Sequence, residues 1–153
     1  GDNRFRILSS AIVGIEFWVE KENGKKPLRI KMGGVAPDNF VDDPKYFWAF
    51  CVWNYQAERV QILEITQKGI MKSIEALVKD KDWGDPKNFD ITVNRVGQGK
   101  DSKYSTTPKP AKKMDPAIIQ LYEDLNIDLT ALYRGEDPFA TAEKVAEEAE
   151  KAI

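Results

Sequence analysis

Over its first two-thirds the chain alternates with the period of β-strands. Between Asn3 and Ser9, Phe5 and Ile7 fall on one side and Arg4 and Arg6 on the other. A second apolar run, Ala11 to Val19, carries Phe17 and Trp18 and is interrupted by Gly14, which predicts a bulge or bend. After a turn at Asn23-Gly24, Leu28, Ile30 and Met32 alternate with Arg29 and Lys31. Residues 33–44, with two Gly, two Pro and three Asp, form a loop. The most aromatic stretch, Tyr46 to Tyr55, is apolar on both faces, the pattern of a central strand covered, or used, on each side. Val60 to Ile65 then completes a hairpin.

At Thr66 the period changes. Ile70, Met71, Ile74, Leu77 and Val78 fall at helical spacing, with Thr66 or Gln67 as the cap and an end near Lys79 to Lys81. A turn at Trp83-Gly84-Asp85-Pro86 leads to a strand over Phe89 to Val96, which Gly97 and Gly99 end, and to a short strand over Lys103 to Thr107. Pro108, Pro110 and the Lys112-Lys113 pair read as a linker. Beyond it lie a helix from about Pro116 to Leu125, a turn at Leu129 to Arg134, and a helix from about Pro138 to Ile153. Five or six strands, with one helix between the fourth and fifth, are the element order of a mainly β, five-stranded OB-fold barrel, although a generic small α+β domain has a similar string. The expected division is a barrel over 1–110 and an acidic helical extension over 111–153.

Composition narrows the chemistry. With 42% hydrophobic residues among 153, the chain has material for one core. No apolar run approaches the ~20 residues of a membrane-spanning helix. No cationic-then-apolar leader is visible, and a start at Gly1 rather than Met fits an N-terminus removed or replaced by a cloning scar. There is no histidine, which excludes Ser-His-Asp and Cys-His catalysis and the usual zinc sites. The only cysteine, Cys51, lies within the aromatic run, so a reducing cytoplasm is the expected compartment. No cofactor, metal or catalytic residue is expected. The net charge of −2 hides an asymmetry: residues 1–114 carry 20 Lys+Arg against 15 Asp+Glu, residues 115–153 carry 3 against 10. A basic body suits a polyanion, and an acidic tail could compete with it.

Binding a single strand needs cations that follow phosphates and flat side chains on which bases stack. Arg4 and Arg6 on one strand and Arg29 and Lys31 on another would line one groove as two basic stripes, unless they merely occupy a solvated face. Trp18 and Tyr104, the latter beside Lys103 after a Gly-rich turn, are stacking candidates. Among Trp48, Phe50, Trp53 and Tyr55, at least half must be core, with Trp48 and Trp53 kept as candidates. Gly97-Gln98-Gly99-Lys100 lacks the phosphate-loop spacing and reads as a basic loop, Lys100 closing over bound nucleic acid. Asp38, Asp42 and Asp43 lack an EF-hand pattern and read as solvated acids. The tail could shield the basic groove, recruit other proteins, or only keep the chain soluble.

The string Lys45-Tyr46-Phe47-Trp48-Ala49-Phe50-Cys51-Val52-Trp53-Asn54-Tyr55, followed by Val60-Gln61-Ile62-Leu63-Glu64-Ile65-Thr66-Gln67, resembles phage and prophage single-stranded DNA-binding proteins. So does Asp82-Trp83-Gly84-Asp85-Pro86, with Phe89-Asp90-Ile91-Thr92-Val93, Gly97-Gln98-Gly99 and Lys103-Tyr104-Ser105. The match covers roughly Asn3 to Pro110, and the family is distantly similar to the T4-type helix-destabilising protein. The resemblance implies an OB-fold core, sequence-tolerant binding of single-stranded DNA in phage replication or recombination within the cytoplasm of a bacterial host, and an acidic C-terminal region that contacts replication or recombination proteins. The chain departs from the T4-type pattern in having no His/Cys zinc module, and it ends Lys151-Ala152-Ile153 rather than in an acidic tip closed by Phe. The rival expectations are a non-enzymatic protein-interaction module built on the aromatic strand and tail, and a carboxylate-dependent nuclease.

Overall fold

The structure, a computed structural model, describes residues 2–139 and residue 150. It is mainly β. Strands β1 (Asp2–Ile7), β2 (Ile12–Lys21), β3 (Gly24–Lys31), β4 (Lys45–Asn54), β5 (Arg59–Ile65), β6 (Asp90–Val96) and β7 (Lys103–Pro108) form one antiparallel sheet, accompanied by helices α1 (Lys68–Lys79) and α2 (Pro116–Leu125). Short 3-10 turns occupy Pro86–Asn88, Gly99–Asp101 and Leu129–Arg134.

β4 is the hub. One edge takes β5, while along the other edge β2 pairs with its first half and β1 with its second, Ile12 lying opposite Ala49 and Ile7 opposite Val52. β1 and β2 are therefore one path bent at Leu8–Ala11, and the bend is pinned to β4 by Leu8 N donating to the Cys51 carbonyl and Cys51 N donating to Ser9 Oγ, both at 2.8 Å. β1 passes its free edge to β6 and β6 to β7, and β3 forms an outer hairpin with β2. Among the described residues nothing pairs β7 with β5, so the sheet is not closed. It has seven strands rather than five, because the bend divides the first path and the β2–β3 hairpin adds an arm. α1 consequently falls between the fifth and sixth strands.

The two apolar faces of β4 are both covered by the chain itself. Phe50 and Val52 pack with Phe5, Ile7, Ile65 and Ile91 beneath Met71 and Ile74 of α1. On the opposite face Cys51, Leu8 and Val60 pack with Trp53 and Ile62 beneath Ile119, Tyr122 and Leu125 of α2 and the following Ile127 and Leu129. The C-terminal extension, as far as it is described, is thus the second cover of the sheet. Each large side chain so buried contributes about 1.5–3 kcal/mol.

Local signals set the helix ends. Gln67 Oε1 accepts from Ile70 N at 2.6 Å and caps α1. Asp115 caps α2 through Ala117 N at 2.9 Å, with Pro116 in the first turn where no N–H is needed. β2 runs through Gly14 without the expected bulge, pairing there with both Lys31 and Phe47. Glycine is required because a Cβ would collide with the Ile30 carbonyl and lie 2.8 Å from the Phe47 ring. The helix expected after Pro138 lies, beyond Phe139, outside the described residues apart from Glu150. Among the described residues no helix is long and apolar enough to cross a membrane.

Candidate functional site

Where β5 and β7 fail to meet, the sheet leaves a groove of about 420 Å³. Its apolar floor is Phe5, Val52 and Val93, the margin of the core layer, and the first turn of α1 closes one end with Gln67 and Ile70. Strand alternation places polar groups around it: Asn3 opposite Val93, Gln61 opposite Val52, and Tyr104 on β7 opposite Arg95. Asn54, Gln56, Glu64 and Thr66 complete the polar rim.

Tyr104 stands at the lip, 39% exposed. The same hairpin carries Arg95, Lys100 and Lys103, all exposed. None of the three forms an ion pair among the described residues, and Arg95 rests on Ser102 Oγ through Nε at 3.0 Å and Nη2 at 2.8 Å. An aromatic ring and three cations thus share one solvent-facing hairpin, whose connecting loop turns through Gly97 at φ +93° and Gly99 at φ +58°.

The remaining expected residues are placed elsewhere. Arg6, expected to face outward, is 1% exposed. Its Nε is 2.6 Å from Asp90 Oδ1, and its Nη1 donates to the carbonyls of Lys87 at 3.2 Å and Lys112 at 2.9 Å. The alternation is right, but the polar face of β1 is roofed by the 86–90 turn and the linker, tied together by Lys109 N donating to the Asp90 carbonyl and Lys112 N to that of Asn88. No phosphate reaches Arg6. Arg4 borders the groove, yet its guanidinium is on the roofed face, 2.7 Å from Asp90 Oδ2 and 5.1 Å from the Tyr55 ring centre. Burial pushes the Asp90 carboxyl up, but hydrogen bonds from Arg4, Tyr55 and Arg6 outweigh it and hold it below the usual carboxylate range. Burial and the hydrogen bond to Asp90 push the Tyr55 hydroxyl up to about 12.

Arg29 is likewise engaged. Its guanidinium lies 2.6 Å from Glu64 Oε2 and 3.6 Å from Glu16 Oε2, carboxylates supplied by β5 and β2. Trp18 donates its Nε1–H to Glu16 Oε1 at 3.1 Å, so its indole edge belongs to the same cluster. Burial, with a hydrogen bond to Glu64 and the nearby Glu64 charge, pushes Glu16 up to about 7. Lys31 is exposed, with Nζ 5.5 Å from the centre of the Tyr133 ring. Trp48 packs against the α1-side core and borders a second, mainly apolar cavity of about 560 Å³ with Ile74 and Val78. Trp53 packs on the opposite side, beneath α2. The ten expected residues therefore divide among several places: Lys100, Lys103 and Tyr104 on the β6–β7 hairpin, Trp18, Arg29 and Lys31 on the β2–β3 arm, Arg6, Trp48 and Trp53 in the packed layers, and Arg4 at the groove's border, its side chain 41% exposed and paired with Asp90.

Sequence reasoning passed over Asn3, Asn54, Gln61, Gln67 and Arg95. Arg95 was within reach, two residues beyond Val93 on an alternating strand. The amides carried no spacing signal, since they converge only through strand pairing and a helix cap. No family model matches the chain, nor does any curated protein or solved structure.

Proposed function

We propose that the chain binds single-stranded DNA with little regard to sequence and performs no catalysis, coating strands exposed during phage replication or recombination. The observation that carries this reading is the β6–β7 hairpin, where exposed Tyr104 stands among Arg95, Lys100 and Lys103 at the lip of an open groove. A flat ring among unpaired cations is what a strand of bases and phosphates requires.

The strand pairing supports a finer reading of the fold. With β1–β2 taken as one bent first strand, β4, β5, α1, β6 and β7 follow in the order of an OB-type barrel, and β3 is an inserted arm. The loop between the last two strands, which in such barrels contacts oligonucleotides, is then the one bearing Lys100. Contacts with replication or recombination proteins fall to the acidic C-terminal region.

Anisotropy of a labelled oligo-dT tests the reading at low and moderate salt. Affinity should fall steeply as salt rises, and Lys100→Ala and Lys103→Ala should each flatten that dependence by up to about one phosphate's share. Tyr104→Ala should cost ~1–3 kcal/mol, the contribution of one stacked base. Wild-type affinity in all three variants would remove the hairpin from the site, and absence of binding at low salt would end the reading altogether.

A further inference from the structure

β4 overhangs the end of β5. Their ladder stops at Trp48 opposite Ile65, and the chain then turns through Thr66 and Gln67 into α1, so Lys45, Tyr46 and Phe47 have no strand partner along that edge. Alternation puts Tyr46 on the same face as Trp48 and Phe50, but the cover stops short of it: Phe50 is buried, Trp48 half-buried and Tyr46 59% exposed. The overhang and the start of α1 enclose a hollow of about 430 Å³ lined by Asp43, Lys45, Tyr46, Lys68 and Met71. Gln67, at the closed end of the groove between β5 and β7, also lines this hollow, as does Thr66, so the two depressions adjoin across that one turn. Of four Trp, five Tyr and seven Phe, only Phe40, Tyr46 and Tyr104 are exposed among the described residues, and Phe40 leans on the Phe17 ring at 5.3 Å. The other two rings stand one in each depression. Lys45 and Lys68 are exposed and form no ion pair among the described residues.

We propose that a strand bound at the β6–β7 hairpin continues past Gln67 into this hollow, where Tyr46 stacks a second base and Lys45 and Lys68 hold its phosphates. The inference rests on the single-strand reading above and adds to it a second station and the path between the two. Charge argues for that occupant. Asp43 is the one carboxylate lining the hollow, against two ammonium groups, and Glu64, the one lining the groove, is engaged by Arg29 at 2.6 Å. A polyanion therefore meets a cationic path with an exposed ring on each side of the turn, the two features that a sequence-tolerant single-strand site needs. The hairpin, with three cations and no carboxylate paired to them, is the stronger station. A strand held there reaches Tyr46 in an intramolecular step, so the hollow adds affinity only to strands long enough to span both.

The test measures the affinity of the full chain for labelled oligo-dT of about 4 to 16 nucleotides, the range of sites on one such barrel, by anisotropy at low salt. Wild-type affinity should rise with length. Tyr46→Ala should remove the later part of that rise, weakening long strands by about five- to 150-fold, the share of one stacked base, and leaving the shortest strands that bind unchanged. Tyr46→Phe keeps the ring and should follow wild type, whereas Tyr104→Ala should weaken strands of every length. Lys68→Ala should flatten the salt dependence of long strands only, and Asp43→Asn, which removes the opposing charge, should tighten them. Equal urea midpoints check that each variant folds, and should Tyr46→Ala fail to fold, Lys68→Ala and Asp43→Asn decide. Wild-type affinity at every length in Tyr46→Ala, or in Lys68→Ala and Asp43→Asn together, overturns the second station and leaves the hairpin reading standing. An equal loss in Tyr46→Ala at every length overturns the path, since Tyr46 would then belong to the primary contact. Failure of wild type to bind any length at low salt overturns both readings together.

Discussion

Replacing Asp90 by alanine tests whether Arg6 is a structural cation. The Asp90 carboxylate accepts four hydrogen bonds: Arg6 Nε at 2.6 Å, Arg4 Nη2 at 2.7 Å and Nε at 3.0 Å, and the Tyr55 hydroxyl at 2.8 Å. Its side chain and that of Arg6 are each 2% exposed. Without Asp90, Arg6 retains only two backbone carbonyls and has no counter-charge. Leaving one member of a buried ion pair uncompensated costs about 3–5 kcal/mol. Against a total stability of about 5–15 kcal/mol that is a large share, and at about 2–4 °C per kcal/mol it lowers Tm by about 6–20 °C.

Tyr55→Phe removes a single bond to the same carboxylate and should cost less, about 1.5–3 kcal/mol. Arg6→Met removes the buried cation while Asp90 keeps Arg4 and Tyr55, so it should also cost less than Asp90→Ala. Urea unfolding followed by tryptophan fluorescence reads all three, alongside oligo-dT affinity measured well below each transition. The pH dependence supplies a second readout. Because the carboxyl is held below its ordinary value of 3.8, its stabilisation is fully present above that pH and is lost as pH falls through the lower folded value. Asp90→Ala should lack that acid loss. The reasoning is refuted if Asp90→Ala costs under about 1 kcal/mol, or if Arg6→Met keeps wild-type stability while its oligo-dT affinity and salt dependence both fall. The first result would show that the pair contributes little to stability, and the second would make Arg6 a phosphate ligand after all.

Two further expectations follow from the other buried groups. Glu16, raised from 4.5 to about 7, holds a proton in the folded chain that the unfolded chain has already released, so stability should be greatest below about pH 4.5 as far as this group decides and should decline through about 7. Glu16→Gln should flatten that decline in urea midpoints taken across the interval, and parallel wild-type and variant curves would show that the cluster does not titrate there. Cys51 is 1% exposed beneath α2, and burial pushes its thiol up against the opposing hydrogen bond with Ser9. Ile119→Ala, which thins that cover, should speed its reaction with a thiol-specific reagent several-fold, whereas an unchanged rate would show that α2 is not what protects it.

How far the chain could be read depends on the range of the interaction concerned. Alternation placed β1 to β7 and the change of period placed α1, because those signals lie within a few residues. The two-sided apolar pattern of β4 left open whether each face is covered or used, and the structure shows α1 and α2 as covers. What resisted reading were partners distant along the chain. Arg6 finds its carboxylate 84 residues away. Arg29 finds Glu64 35 residues away. A strand pattern tells which face a side chain takes, but not whether that face meets water or another segment. Closure of the sheet was illegible for the same reason, since it depends on whether the edges of β5 and β7 come within hydrogen-bonding reach.

The structure also separates two kinds of positive charge that a net count merges. Arg4, Arg6, Arg29 and Arg134, four of the six arginines, form ion pairs, whereas among the described lysines only Lys25 and Lys79 do. The division follows from their chemistry. A planar guanidinium matches a carboxylate and tolerates burial, while an ammonium on a flexible stem is strongly hydrated and stays at the surface. The excess charge of the basic body is therefore presented to solvent chiefly by lysines, which attract phosphates as point charges without regard to base. In the proposed reading, stability and strand affinity then draw on different cations. Lysines set an attraction for any strand that weakens steeply as salt rises, while the paired arginines contribute to holding the sheet and little to that dependence.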